Sequence, residues 1–466
     1  MISDGKNRAY FVGIGGIGMS ALARWYNHAG YLVAGYDRTY SPLVEELVAE
    51  GMSVTCEDAI DTIPDEIKNH KEKVTVIFTP AIPRDSPQLE FFRNNGFEVI
   101  KRSEALGRIS NDHFTIAVAG THGKTTTSTM IAHILNYAGK NSAAFLGGIS
   151  SNYHTNFLIK GDFSSDTIIV AEADEFDRSF LRLSPNVAVI TSTDADHLDI
   201  YGDKQSVHQS YGDFIKKIAQ EGKLILNQSI PDELVDSINV MVQKYGEGSD
   251  CRAENIKIEN GNFIFDFVGP TQIIEQVKLM VPGFHNVENA TAAIQVALCL
   301  KINAGTIKSA LAEFTGVKRR FEYIIKSEDV IFIDDYAHHP TEIEALLTSV
   351  KALYQEKKIT AIFQPHLYSR TRDFTEGFAQ SLSLANEVLL LDIYPARERP
   401  IPGITSKVIL DKIVTDAKRL LSADQLMQYL NAQETDVVLT IGAGDIDKLI
   451  PEIKEILLNK KGGANE

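Results

Sequence analysis

Residues 114–135 read FTIAVAGTHGKTTTSTMIAHIL. The opening run, FTIAVA, is short and apolar, the composition of a strand buried on both faces. The closing run places Met130, Ile131, Ile134 and Leu135 on one side of a helix. Between them stands Gly120-Thr121-His122-Gly123-Lys124-Thr125-Thr126-Thr127. A glycine-bearing turn from strand into helix offers backbone N–H groups and the positive end of the helix dipole, which together cradle phosphate. Lys124 then reaches the β- and γ-phosphates, and the Thr125 hydroxyl reaches Mg²⁺. The two glycines stand three apart where the usual phosphate loop has five, but the physical parts are all there. The segment reads as an ATP site made by Gly120, Thr121, His122, Gly123, Lys124, Thr125 and Thr126, with Lys124 facing solvent until nucleotide arrives. A plain helix-capping turn is the competing reading.

Working outward, the run TIIVAE ends in Glu172 and leads into Ala173-Asp174-Glu175. An acid at the carboxyl end of a buried strand is where a metal partner of an ATPase sits. The next run, VAVITS, leads into Thr193-Asp194-Ala195-Asp196-His197-Leu198-Asp199. Mg²⁺ prefers oxygen ligands, so His197 alone would read as a capping or core residue. The clustered acids beside a phosphate loop favour a metal site of Thr125, Glu172 and His197.

Upstream, YFVGI runs into Gly13-Ile14-Gly15-Gly16-Ile17-Gly18 and then into a helical stretch, and Asp37 closes the following strand YLVAGYD. This is the dinucleotide fingerprint in its strand–turn–helix setting, with an acid to accept ribose hydroxyl bonds. Gly13, Gly15, Gly16, Ile17, Gly18 and Asp37 therefore form a nucleotide-diphosphate site. A UDP-sugar, NAD and a purely structural turn all remain open from the loop alone. Downstream, VIFID leads into Asp334-Asp335-Tyr336-Ala337-His338-His339-Pro340-Thr341-Glu342. Pro340 suits the first turn of a helix, so part of this string is a cap, but two histidines after two aspartates exceed what a cap needs. A loop after TAIF carries Phe363-Gln364-Pro365-His366-Leu367-Tyr368-Ser369-Arg370, and VVLTI runs into Gly442-Ala443-Gly444-Asp445.

Apolar runs alternate with amphipathic stretches almost throughout, which implies βαβ units and parallel sheets. The fold class is α/β in three domains. Residues 1–110 form a Rossmann-like domain, 111–317 a central P-loop-type ATPase domain with a mainly parallel sheet, and 318–466 a C-terminal Rossmann-like α/β domain. Asn260-Gly261 marks a hairpin within a small antiparallel excursion of the central domain. Net charge is -16, from 46 basic and 62 acidic residues, which argues against nucleic-acid partners. No apolar stretch approaches the roughly 20 residues of a membrane helix, and the polar start MISDGKNR has no signal segment. Cys56, Cys251 and Cys299 form no CxxC pair and read as buried thiols of a reducing compartment. The expectation is a cytoplasmic protein without membrane contact, monomer or homodimer.

The strings GIGGIGMSALA, GTHGKTTT, EADEFDRSFL, DADHLDIYG, GFHNVENATAA, GVKRRFE, DDYAHHPTE, FQPHLYSRTRDF and IGAGDI together resemble the Mur ligase family over essentially the whole chain. The resemblance implies ATP and Mg²⁺ as cofactors and ligation of L-alanine to the carboxylate of UDP-N-acetylmuramate. It assigns the first loop to the UDP-sugar, Lys124, Thr125, Glu172 and His197 to phosphate and metal, and His285, Asn286, Asn289 and Arg320 to ATP. It assigns His338 and Arg370, with Lys124, to catalysis, the first two at the amino acid. Arginine's planar fork suits a carboxylate. Leu367 stands where some members carry a second arginine. Lys204, Lys216 and Lys217 are all off the spacing of the carbamylated lysine found in several members. The alternatives are a murein peptide ligase adding a recycled tripeptide to the same UDP-sugar and, from another class, an NAD-dependent oxidoreductase, which leaves GTHGKTTT unexplained.

Overall fold

The computed structural model describes residues 7–194, 201, 203–236, 238–396 and 398–462. The chain divides into two compact units. The first holds residues 1–254, 267–275 and 289–312, and the second 255–266, 276–288 and 313–466.

The first unit contains two sheets. Strands β1 (Arg8–Val12), β2 (Leu32–Tyr36), β3 (Ser53–Thr55), β4 (Val74–Phe78) and β5 (Glu98–Lys101) form a parallel sheet in the order β3-β2-β1-β4-β5. The order reverses beside β1, so the glycine loop that leaves β1 opens into the crevice where α/β sheets take ligands. The second sheet has β6 (Thr115–Ala119), β7 (Ser142–Ser150), β8 (Thr155–Lys160), β9 (Ile168–Glu172), β10 (Val187–Ile190), β11 (Lys223–Asn227) and β12 (Met241–Tyr245), in the order β12-β11-β10-β6-β9-β7-β8. All its pairings are parallel except β7 with β8. The single tryptophan, Trp25 on the Ile17–His28 helix, packs against Phe145, Phe157 and Phe163 at centroid distances of 5.6, 6.4 and 4.2 Å. One apolar cluster therefore runs from Phe11 and Leu22 through Phe145 to Phe180 and Leu226, and the two sheets share a core.

The Lys124–Tyr137 helix is buried from Thr125 to Leu135, not along one face as its apolar residues suggested. Its hydroxyls tolerate this because they bond back to the helix: Thr129 Oγ1 donates to Thr125 O at 2.6 Å and Ser128 Oγ at 3.1 Å.

Strands β13 (Arg252–Glu259), β14 (Asn262–Val268) and β15 (Ile273–Leu279) make a three-stranded sheet. Asn260 and Gly261 join β13 to β14 with φ of +52° and +73°, the two-residue hairpin turn that the dipeptide announces.

The second unit is built on β16 (Glu322–Lys326), β17 (Ile331–Asp335), β18 (Ile359–Phe363), β19 (Glu387–Leu390), β20 (Lys418–Leu420) and β21 (Val437–Ile441), ordered β16-β17-β21-β18-β19-β20. Only β16 pairs antiparallel. Both faces are covered. Ile331, Ile333, Ala361, Phe363, Val437 and Leu439 face one core, while Phe332, Ile362 and Val438 face the other, which is why these runs are mostly apolar without alternating.

Cys251 is buried and Cys299 partly so, but Cys56 is exposed, since it follows β3, a short edge strand. Among the described residues no helix is long and apolar enough to cross a membrane.

Candidate active site

At the end of β1 the amides of Gly13 and Ile14 both donate to Tyr36 O, at 2.7 and 3.0 Å. This ties the loop to the neighbouring strand. Gly16 caps the Ile17–His28 helix, and the amides of Ile17 and Gly18 make no hydrogen bond to any described residue, the ordinary state of first-turn donors awaiting an anion. Asp37 does not stand open as a ribose acceptor. Its Oδ2 accepts from Gly15 N at 2.8 Å and its Oδ1 from Thr39 N at 3.1 Å. It braces the loop, and each oxygen keeps a second acceptor position.

The phosphate loop sits at the end of β6, between β9 and β10 in the sheet. Thr121 N donates to Ser192 O at 3.2 Å and His122 N to Ser192 Oγ at 2.9 Å. His122 Nε2 lies 3.2 Å from Asp194 Oδ2. Gly120 begins the turn with φ +131°. The amides of Gly123, Lys124, Thr125 and Thr126 make no hydrogen bond to any described residue, so four donors converge where a phosphate is expected. Gly123 has φ +80°, and a Cβ there would lie 2.6 Å from Asn289 Oδ1. Asn289 also accepts from Thr127 Oγ1 at 3.1 Å, which sets it against the phosphate loop.

Lys124 departs from expectation. Instead of facing solvent, its Nζ is held at 2.9 and 2.8 Å by both oxygens of Glu175 and at 2.5 Å by Gly120 O. Glu175 is buried and Lys124 partly so, their side chains 5% and 13% exposed. Burial opposes both charges, lowering the lysine's pKa and raising that of Glu175. For Lys124 the Glu175, Glu172 and Asp174 carboxylates outweigh burial and keep it protonated, above its ordinary value. Three acids against Lys124 and, at Asp174, Arg102 leave the pocket net negative, an environment that suits a hard divalent cation. Glu172 ends β9 and accepts from Gly147 N at 3.1 Å. His197 lies outside the described residues. Among the described residues no three acidic, histidine or cysteine side chains converge closely enough to hold a metal by themselves.

In the second unit, β17, β21 and β18 are neighbours, so the loops after them share one edge of the sheet. Asp335 is buried and accepts from the amides of Phe321 and Ala337, both at 2.7 Å. Burial raises its pKa to about 6. His338 Nδ1 is 2.9 Å from Tyr336 O. A carbonyl only accepts, so Nδ1 carries a proton, and Glu342 Oε2 lies 3.4 Å from the same nitrogen. The helix cap that competed for His338 falls instead to His339, whose ring accepts from Thr341 N at 3.3 Å, while Glu342 takes the amides of both histidines.

Arg370 is not in a loop but in the short Tyr368–Asp373 helix, and it is buried. Its Nη1 lies 3.4 Å from His366 Nδ1. His366 stacks on Tyr394 at 5.7 Å and its ring is 6.3 Å from that of His338. His338 and Arg370, far apart in sequence, thus meet through His366, whose part sequence reading did not foresee. Leu367 holds φ +71° at this corner, strain of a kind that collects at functional sites. Arg320 lies over the Tyr336 ring at 5.0 Å, with Nη1 3.7 Å from Glu342. His285 is neutral, its pKa lowered to about 4 chiefly by burial, with Glu342 raising it somewhat and Arg320 lowering it further. Asn286 Nδ2 donates to Pro282 O at 2.7 Å.

A strand-borne glycine loop, a phosphate loop and a third α/β sheet with a histidine–arginine cluster are the parts of an ATP-dependent ligase that handles a sugar nucleotide, and the chain belongs to the Mur ligase family. The Mur ligase catalytic domain matches residues 8–114, the middle domain 118–297 and the glutamate ligase domain 319–444. Within that family the similar proteins are UDP-N-acetylmuramate–L-alanine ligases. The one from Christiangramia forsetii is 47% identical across 97% of this chain and 98% of its own length. That from Cytophaga hutchinsonii is 48% identical across 98% of each. Among solved structures, the UDP-N-acetylmuramate–alanine ligase of Thermotoga maritima superposes with a TM-score of 0.78 at 28% identity, covering 98% of this chain and 100% of that one. A murein peptide ligase from Psychrobacter arcticus gives 0.67 at 25%, covering 97% and 98%.

Proposed function

We propose that this chain joins L-alanine to the carboxylate of UDP-N-acetylmuramate at the expense of ATP, a cytoplasmic step of peptidoglycan precursor synthesis. The observation that carries this reading is the near-full-length identity of 47–48% to L-alanine ligases, on a chain that keeps four converging amides and a charged lysine in its phosphate loop.

A carboxylate does not condense with an amine at neutral pH. Its oxygen first attacks the γ-phosphorus of ATP, the bond to ADP breaks, and an acyl phosphate results. The amine of alanine then adds to the carbonyl carbon, and the tetrahedral intermediate expels inorganic phosphate. Catalysis of this kind is mostly positioning and charge stabilisation. Lys124 and the amides of residues 123–126 hold the phosphates. Thr125 and Glu172, with His197, would hold Mg²⁺, and the negative pocket fits that ion. Bound there, Mg²⁺ supplies charge neutralisation on the phosphates. In the second unit, Arg370 grips the alanine carboxylate and His338 Nε2 is placed to take the amine's proton. The three-domain division at 110 and 317 separates sugar-nucleotide, ATP and amino-acid functions.

Phosphate release with one component omitted at a time tests the proposal. Turnover requires UDP-N-acetylmuramate, ATP and L-alanine together and is indifferent to NAD. Turnover with L-alanyl-γ-D-glutamyl-meso-diaminopimelate in place of alanine, and none with alanine, would move the chain to the murein peptide ligases.

A further inference from the structure

Arg102 is the first residue after β5 and opens the Arg102–Asp112 helix. It therefore emerges at the same carboxyl edge of the first sheet as the glycine loop. Its side chain passes close to the first turn of the Ile17–His28 helix: a Cβ on Gly18 would come within 2.7 Å of Nη1 and 3.3 Å of Cζ. Gly18 thus makes room for an arginine.

The placement is electrostatically adverse as it stands. The amino end of a helix is its positive end, where anions are favoured and cations are not. The Ile17 and Gly18 amides, which make no hydrogen bond to any described residue, add donors on the same turn. The arginine's acidic neighbour does not account for it. Arg102 Nη2 reaches Asp174 Oδ2 at 3.3 Å, with side-chain exposures of 22% and 39%, and a half-exposed pair contributes little. Asp174 is also one of the acids that act on Lys124. A cation facing two open amides at a helix start needs an anion between them.

We propose that Arg102 is a ligand of the sugar nucleotide's diphosphate, closing the glycine loop from the side opposite Asp37. This rests on the UDP-sugar reading of the loop given above. The planar guanidinium donates two parallel bonds to phosphate oxygens, while the amides of Ile17 and Gly18 hold the same group from the helix. Asp174 keeps the arginine in place before the ligand arrives.

The test is the affinity of the intact chain for UDP-N-acetylmuramate, UDP and ATP, measured by titration calorimetry for wild type and for Arg102→Ala, Arg102→Gln and Arg102→Lys. Loss of a charge-assisted pair weakens UDP and UDP-N-acetylmuramate by at least about tenfold in the alanine and glutamine variants. Lysine restores part of the loss, and ATP affinity stays within about twofold. Glutamine keeps the aliphatic stem and a polar head without the charge, so it remains informative if alanine unfolds. Unchanged UDP affinity in a folded Arg102→Gln variant overturns the proposal. So does equal weakening of ATP and UDP, which would make Arg102 a structural partner of Asp174. An effect on UDP-N-acetylmuramate without one on UDP also overturns it, because the contact would then be to the sugar's carboxylate. If wild type itself binds no UDP-sugar, the functional reading of the loop fails and the role of Arg102 falls with it, whereas tight wild-type binding with an unchanged Arg102→Gln variant overturns the role of Arg102 alone.

Discussion

Lys124 and Glu175 form an ion pair in which the carboxylate is buried and the lysine partly so. The phosphates of ATP must therefore take the lysine from a carboxylate that already holds it. The role proposed for Lys124 is read from GTHGKTTT, because a lysine after a glycine turn has few other uses. Its partner is not legible. EADEFD offers four acids, and once β9 ends at Glu172 no periodicity says which of the rest turns inward. The pairing changes what a substitution does. Lys124→Ala should reduce turnover by about 10²–10³ or more through lost phosphate stabilisation. It should also strip a buried carboxylate of its cation, destabilising the fold by ~3 kcal/mol. The double variant Lys124→Met, Glu175→Gln removes both charges, so it should regain most of that stability while remaining inactive. Urea unfolding and phosphate release on the two proteins check this. If Lys124→Ala alone is as stable as wild type, the ion pair has been given too much weight.

The strand–turn–helix of residues 115–137 shows how an element is fixed from within and from outside. Gly123 must hold φ +80°, which costs a residue with a Cβ about 1–2 kcal/mol, and a Cβ there would also meet Asn289. Gly123→Ala should then push the loop and Asn289 apart, weakening ATP at least about tenfold while leaving UDP-sugar affinity near wild type. Calorimetric titration with each nucleotide separates the two, and equal loss of both would point to general unfolding of the first unit. At this scale the sequence is most readable where both faces of a strand are buried. VTVIF and VVLTI coincide with β4 and β21 residue for residue. It is least readable at β7, whose SAAFLGGIS carries two glycines and one aromatic, a composition that does not announce a strand. That segment is a strand because β9 on one side and β8 on the other supply its hydrogen bonds, and such tertiary context leaves no local mark. The adjacent histidines divide for a similar reason. Either ring could cap a helix starting at Pro340, and only the backbone path shows that His339 does so. The Arg370–His366 contact depends on Leu367 adopting a conformation that its residue type disfavours, so no propensity could have announced it.

Over the whole molecule, the pH dependence of folding exposes a balance between two groups of the second unit. His285 has a folded pKa of about 4 against an ordinary value of 6.5. The stability of its neutral form is present above pH 6.5 and is lost as pH falls toward 4, since the unfolded chain takes up the proton first. Asp335 has a folded pKa of about 6 against an ordinary 3.8. Here the folded state binds the proton more tightly, so its contribution is present below pH 3.8 and is lost as pH rises through 6. Each displacement corresponds to roughly 3 kcal/mol, and over the interval from pH 4 to 6.5 the two run in opposite directions. They nearly cancel in wild type. Removing one should expose the other. His285→Gln should gain stability relative to wild type on acidification from pH 6.5 to 4, because only Asp335 still responds. Asp335→Asn should lose it over the same range, with a constant offset because asparagine can accept only one of the Phe321 and Ala337 amides. The readout is the difference in unfolding free energy between each variant and wild type at successive pH values, so that the other titrating groups common to all three proteins drop out. Two difference curves of opposite slope are expected. Curves that are both flat would mean that neither side chain changes its proton affinity on folding, and curves of the same sign would remove the compensation between them.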